Sequence, residues 1–178
     1  MVLNRRQVLA ATAVGLVSAV PSFAADIIQE GDIVVETLSN TTATLESKQG
    51  SVTIRKRIDQ HSNLTIRAAK DVTIGEKIDQ HSSANITAGG SVTIGQKIDQ
   101  HSIARITAQN IHIGEKVDQH SVAFLSAPNG TLAIDQGVSG TSVVHYLAKT
   151  ARIGHVDDNC TVDMNMNAPV GPDQGPNS

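Results

Sequence analysis

Four copies of one triplet repeat a cation, a carboxylate and an imidazole along this 178-residue chain: Arg57/Asp59/His61, Lys77/Asp79/His81, Lys97/Asp99/His101 and Lys116/Asp118/His120. Residues two apart on a strand share a face, so stacked copies would form three parallel lines, one cationic, one of carboxylates and one of imidazoles. Carboxylate and neutral imidazole together suit borderline ions such as Zn or Ni. Asp59, Asp79, Asp99 and Asp118, with His61, His81, His101 and His120, are therefore the candidate metal ligands. Identical stacked rows, however, offer a flat surface without the supporting shell that orients most metal ligands. The expectation is no cofactor, with Zn or Ni as the alternative.

Charge balance accounts for the same pattern without a ligand. Carboxylates stacked about 4.8 Å apart repel by about 0.9 kcal/mol per neighbour in bulk water, and by more near a protein surface. A parallel line of Arg57, Lys77, Lys97 and Lys116 offsets that repulsion. If Ile78 points inward, alternation places Lys77, Asp79 and His81 on the solvent side and turns Gln80 and Ser82 inward, unless the chain turns a corner there.

Asp79, His81 and Ser82 are also the residue types of a hydrolase triad. Adjacent strand residues point to opposite faces, which disfavours the base-to-nucleophile hydrogen bond that such chemistry needs. An active site is normally built once, whereas this constellation occurs four times. No catalytic residues are expected.

The elements that position these side chains come from a repeat. Val72-Thr73-Ile74-Gly75-Glu76-Lys77-Ile78-Asp79-Gln80-His81-Ser82 recurs almost unchanged from Val92 to Ser102, and successive copies of the Asp are 20, 20 and 19 residues apart. Weaker copies flank the four. Apolar residues alternate at Val72, Ile74, Ile78, Ala84, Ile86 and Ala88, the period of strands and not of helices. Columns such as Ile54/Ile74/Ile94/Ile113 and Ile66/Ile86/Ile106/Leu125 can be buried only between vertical neighbours. The predicted fold is all-β: one parallel β-helix, a solenoid of about seven coils of about 20 residues over 31–167, with three short strands per coil. Only two Phe, one Tyr and no Trp are present, in keeping with a thin, layered core. Gly75, Gly95 and Gly114 are expected at corners, and Cys160 falls in a column of serines where a small buried side chain fits.

A Gly, an alternating Val/Ile pair and a second Ile-x-Ala strand in each coil resemble the coils of filamentous-haemagglutinin-like adhesins. That resemblance implies an exported, non-enzymatic solenoid with an interaction role, its partner being an extracellular or cell-envelope component or another copy joined end to end.

The first 24 residues read as a signal peptide, with Arg5 and Arg6, a weakly apolar run from Val8 to Val20, and cleavage expected after Ala24. Asn4-Arg5-Arg6-Gln7-Val8-Leu9 resembles the bacterial twin-arginine signal, which implies a protein that crosses the inner membrane already folded and resides in the periplasm or outside the cell. Residues 25–30 are a lead-in, 168–178 a Pro/Gly-rich disordered tail. Loss of Arg5 and Arg6 takes the formal charge from −3 to −5, a poor match for nucleic acid, and no membrane span is expected after cleavage.

Overall fold

Runs in which Val, Ile and Ala alternate with Thr, Ser and charged residues bury one side per strand, and a short strand gains stability only when a neighbour shares that side. A computed structural model of the chain describes residues 15–17 and 26–164, with side chains from 26 onward. Among these residues there is no helix, and every strand pairing is parallel.

The chain opens with β1 (Gly15–Val17), β2 (Ile27–Gln29), β3 (Ile33–Val35), β4 (Leu38–Ser39) and β5 (Thr42–Ser47). It continues through β6 (Val52–Ile54), β7 (Ile58–Asp59), β8 (Asn63–Ala68), β9 (Val72–Ile74), β10 (Ser83–Ala88), β11 (Ser91–Ile94) and β12 (Ile103–Thr107). It ends with β13 (Asn110–Ile113), β14 (Lys116–Val117), the long bent β15 (Val122–Val138) and β16 (Val143–Val156), and β17 (Thr161–Asp163). The result is a parallel β-solenoid of about seven turns.

Each coil has three strand-bearing faces. The first stacks Val35, Ile54, Ile74, Ile94, Ile113, Ile134 and Ile153 in one column. The third stacks Leu45, Ile66, Ile86, Ile106, Leu125 and Tyr146. The second is the shortest: β4 pairs with β7, and Ile58, Ile78, Ile98 and Val117 are joined by single parallel bridges. Of the three short strands expected per coil, the one that carries the triplet is thus reduced at Lys77–His81 to a single bridge at Ile78, because the chain turns after Asp79.

The core consists of these columns. Ile54, Ile74, Ile94, Ile66 and Ile86 are all 0% exposed, and each buried Ile contributes about 1.5–3 kcal/mol relative to exposure. Gly75, Gly95 and Gly114 serve close approach and not turning. A Cβ at Gly75, Gly95 or Gly114 would run into the carbonyl oxygen of the residue stacked beneath it, Arg55, Gly75 and Gly95 in turn. The left-handed backbone positions go to other residues, which define the site. The predicted cleavage point after Ala24 and the predicted tail 168–178 lie outside the described residues.

Candidate functional site: a buried ion-pair ladder beneath stacked imidazoles

The segment Asp79-Gln80-His81-Ser82 forms a tight corner. Gln80 and His81 have φ of 53° and 62°, and Ser82 N–H donates to the Asp79 carbonyl at 3.3 Å. Two central residues at positive φ characterise the type I′ turn. Gln60/His61, Gln100/His101 and Gln119/His120 repeat it. Left-handed backbone is sparsely populated by non-glycine residues, so four repetitions imply that the stack holds the corner in place.

The stack does so through hydrogen bonds between coils. His81 N–H donates to the Gln100 carbonyl at 2.9 Å, and His61 and His101 donate likewise to Gln80 and Gln119. The serines form a second ladder: Ser62, Ser82, Ser102 and Ser121 each donate a backbone N–H to the hydroxyl of the next serine in the column, at 3.2–3.3 Å, ending on Ser142. All five serines are buried. Gln therefore ladders through its backbone carbonyl.

This corner changes the expected placement of the carboxylates. Asp59, Asp79, Asp99 and Asp118 do not line a solvent face beside the histidines; they are 3%, 0%, 1% and 7% exposed. Simple alternation fails because the chain turns immediately after each Asp, and the corner encloses the side chain. The histidines remain exposed, in one line.

Each buried carboxylate is paired with the cation two residues before it. Arg57 Nε lies 2.8 Å from Asp59, and the Lys77, Lys97 and Lys116 ammonium groups lie 2.5, 2.7 and 2.9 Å from Asp79, Asp99 and Asp118. The Asp99 bond raises the Lys97 pKa, against the opposing effect of burial. Burial would raise Asp118, but bonds from Lys116, the Ser139 hydroxyl and Gln119 N–H together hold it below the usual carboxylate range.

The ladder is not uniform. Asp99 Oδ1 accepts from Gln100 N–H and Asp118 Oδ1 from Gln119 N–H, both at 2.8 Å. Asp59 Oδ1 and both Asp79 oxygens lack an aligned hydrogen bond. Lys77 thus meets Asp79 at ion-pair distance without hydrogen-bond alignment, leaving attraction between charges as its main support.

Above this layer the imidazoles stack with ring centroids 5.2, 4.9 and 4.9 Å apart and planes within 7° of parallel. Desolvation lowers the His101 pKa, and repulsion from His81 and His120 lowers it further. A ring nitrogen binds a metal in the plane of its ring, and Zn–N bonds are about 2.0–2.1 Å. Lone pairs in parallel planes do not converge on one ion. The structure brings His together with His and Asp with Lys or Arg, so each candidate carboxylate already holds a cation. Among the described residues, no group of three or more His, Cys, Asp or Glu is placed to hold a metal. His81 is exposed while Ser82 is buried, so the two side chains lie on opposite sides of the corner.

A second constellation escaped the sequence reading. On the outward side of the third face, Asn85, Arg105, Phe124, His145 and Asp163 occupy one column. Arg105 lies over the Phe124 ring at 4.8 Å, Phe124 stacks on His145 at 5.2 Å, and His145 Nδ1 meets Asp163 at 2.6 Å. Nearby, Asp135 binds His112 at 2.9 Å and Arg152 at 2.5 Å, and the His112 bond is the main cause of its lowered pKa. The sequence signal was the loss of Thr and Asn from the first of these columns after Asn85 and of Thr from the column of His112 after Thr93.

No family model, no curated protein and no solved structure matches this chain.

Proposed function

We propose that this is an exported, non-enzymatic structural or interaction protein that presents a rigid, repetitive solenoid face in the periplasm or outside the cell, in the manner of adhesin coils or of self-associating β-solenoids. The observation that supports it is the exposed line of four parallel imidazoles at near-constant spacing, a surface defined by repetition. The twin-arginine-like start supports export, since it suits a solenoid that folds before crossing a membrane.

Titration of the protein with Zn or Ni by calorimetry tests the reading. The expected result is no binding tighter than about 100 μM, or about −5.5 kcal/mol. A stoichiometric micromolar isotherm, abolished in a His81→Ala/His101→Ala variant, would replace this reading with that of a metal-binding protein.

A further inference from the structure

The two ends of the solenoid are open in complementary places. At the start, β2 covers only the second half of β5, pairing Ile27 with Leu45, Ile28 with Glu46 and Gln29 with Ser47. Among the described residues no strand covers Thr42–Thr44, and Thr44 N–H donates instead to the Asp26 carboxylate at 2.9 Å. At the other end the pattern is reversed. β17 covers Val143–His145, and among the described residues no strand lies beyond Tyr146–Ala148, Ala151–Ile153 or Val156.

The columns show what fits each opening. Ile27 heads the column whose foot is Tyr146, and Val35 heads the column whose foot is Ile153. Thr42–Thr44 head the columns that end at Thr161–Asp163. A second copy placed one coil rise beyond the first would lay its Ile28 and Gln29 over Leu147 and Ala148 and its β3 over Ala151–Ile153. Its Thr42–Thr44 would pair with β17.

Side chains at the foot agree with this. Tyr146, Ala148, Ile153, Val156, Cys160 and Val162 pack against the core but are only partly buried, as expected of columns with no further layer among the described residues. Lys149 follows Ala148 as Lys48 follows Ser47, and Glu30 already pairs with Lys48 at 3.3 Å. In a stack the Glu30 of the next copy falls over Lys149.

β1 occupies the same opening. It pairs Gly15, Leu16 and Val17 with Ile33, Val34 and Val35, the edge that a neighbour's Ala151–Ile153 would take. We propose that copies of this chain without the leader stack head to tail into a continuous solenoid, and that β1 blocks the joint while the leader remains. Such a contact does not close on itself and so grows as a filament. Removal of the leader rests on the export reading above; the joint rests on the strand ends alone.

A disulfide across the joint tests this. Thr41 heads the serine column and Cys160 is its foot. Within one chain they are roughly 30 Å apart, whereas across the joint they are one rise of about 4.8 Å apart, inside the Cα range for a disulfide. Every fully buried core residue lies between Ile33 and Val144, so the chain from Ala25 keeps its core.

Under mild oxidation, that shortened chain carrying Thr41→Cys should give a ladder of covalent multimers. The full 178-residue chain with the same substitution should give none, and adding Cys160→Ser should abolish the ladder. Light scattering of the unsubstituted shortened chain should show mass rising with concentration, and Lys149→Glu should weaken this association about threefold, the size of a modest surface ion pair. Symmetric dimers alone, or a monomer up to about 100 μM, would overturn the joint. A ladder of equal extent with the leader retained would overturn the block.

Discussion

The corner at Asp79–Ser82 and the corner at Ser139–Ser142 have the same backbone and almost nothing else in common. In the later coil Gly140 and Thr141 take the left-handed positions at φ of 62° and 59°, and Ser142 is fully buried and closes the serine ladder. Yet the triplet is replaced by Gly137, Ser139 and Thr141. The solenoid can therefore turn this corner without a buried ion pair or an imidazole. The serine ladder and the left-handed pair form the corner; the cation, Asp and His ladders are an addition that this coil omits.

The largest effect should come from what both corners share. Ile94→Asp places an unpaired carboxylate in a column that is 0% exposed, at a cost of several kcal/mol, and because neighbouring coils share that column, several should unfold together. Ile153→Asp, in the same column but at the partly buried end, should leave the inner coils intact. Hydrogen exchange resolved by coil compares them, and equal local losses would break the shared-core argument.

A smaller, asymmetric effect separates the two corners. Lys77→Met strands Asp79, which is 0% exposed, and should cost about 3–5 kcal/mol, the usual penalty for a buried charge losing its partner. Asp79→Ala should cost less, since the Lys77 ammonium, with the side chain 20% exposed, can turn to water. The double variant Lys77→Met/Asp79→Leu imitates the uncharged later corner and should recover most of the loss. Urea melts of the three decide it; additive losses would mean that the ion pair itself forms the corner.

The fold was legible because it depends on period. Alternation at Val72, Ile74, Ala84 and Ile86 and the 20-residue repeat specified parallel strands, columns and an approximate coil count. The site was half legible. Alternation put His81 outside, where it is, but also put Asp79 outside, because parity holds only while the chain stays extended. Nothing in Gln80-His81 announces a left-handed pair, since that role is usually given to Gly or Asn, while the glycines here were needed for close approach to the coil beneath. The column of Arg105, Phe124 and His145 was hidden because it lies across three coils with no repeat to reveal it.

The smallest expected effect concerns the imidazole line, which the later corner lacks. His101 has neighbouring rings 4.9 Å away on both sides, and its pKa is lowered from 6.5, first by desolvation and then by His81 and His120. A base with a depressed folded pKa binds fewer protons folded than unfolded, so its contribution to stability is complete above about pH 6.5 and is lost as pH falls through that value toward the folded pKa. The protein should therefore melt slightly lower at pH 5.5 than at pH 7.5. His101→Asn keeps a side chain that tolerates the left-handed backbone and removes the titrating ring, so it should flatten that part of the slope without changing the melt at pH 7.5. His81→Asn tests the cause by removing one neighbouring ring: if stacking helps to lower the imidazole, the His101 midpoint read by NMR should rise. An unchanged midpoint would mean that desolvation alone lowers it and that the line of rings is a coincidence of register.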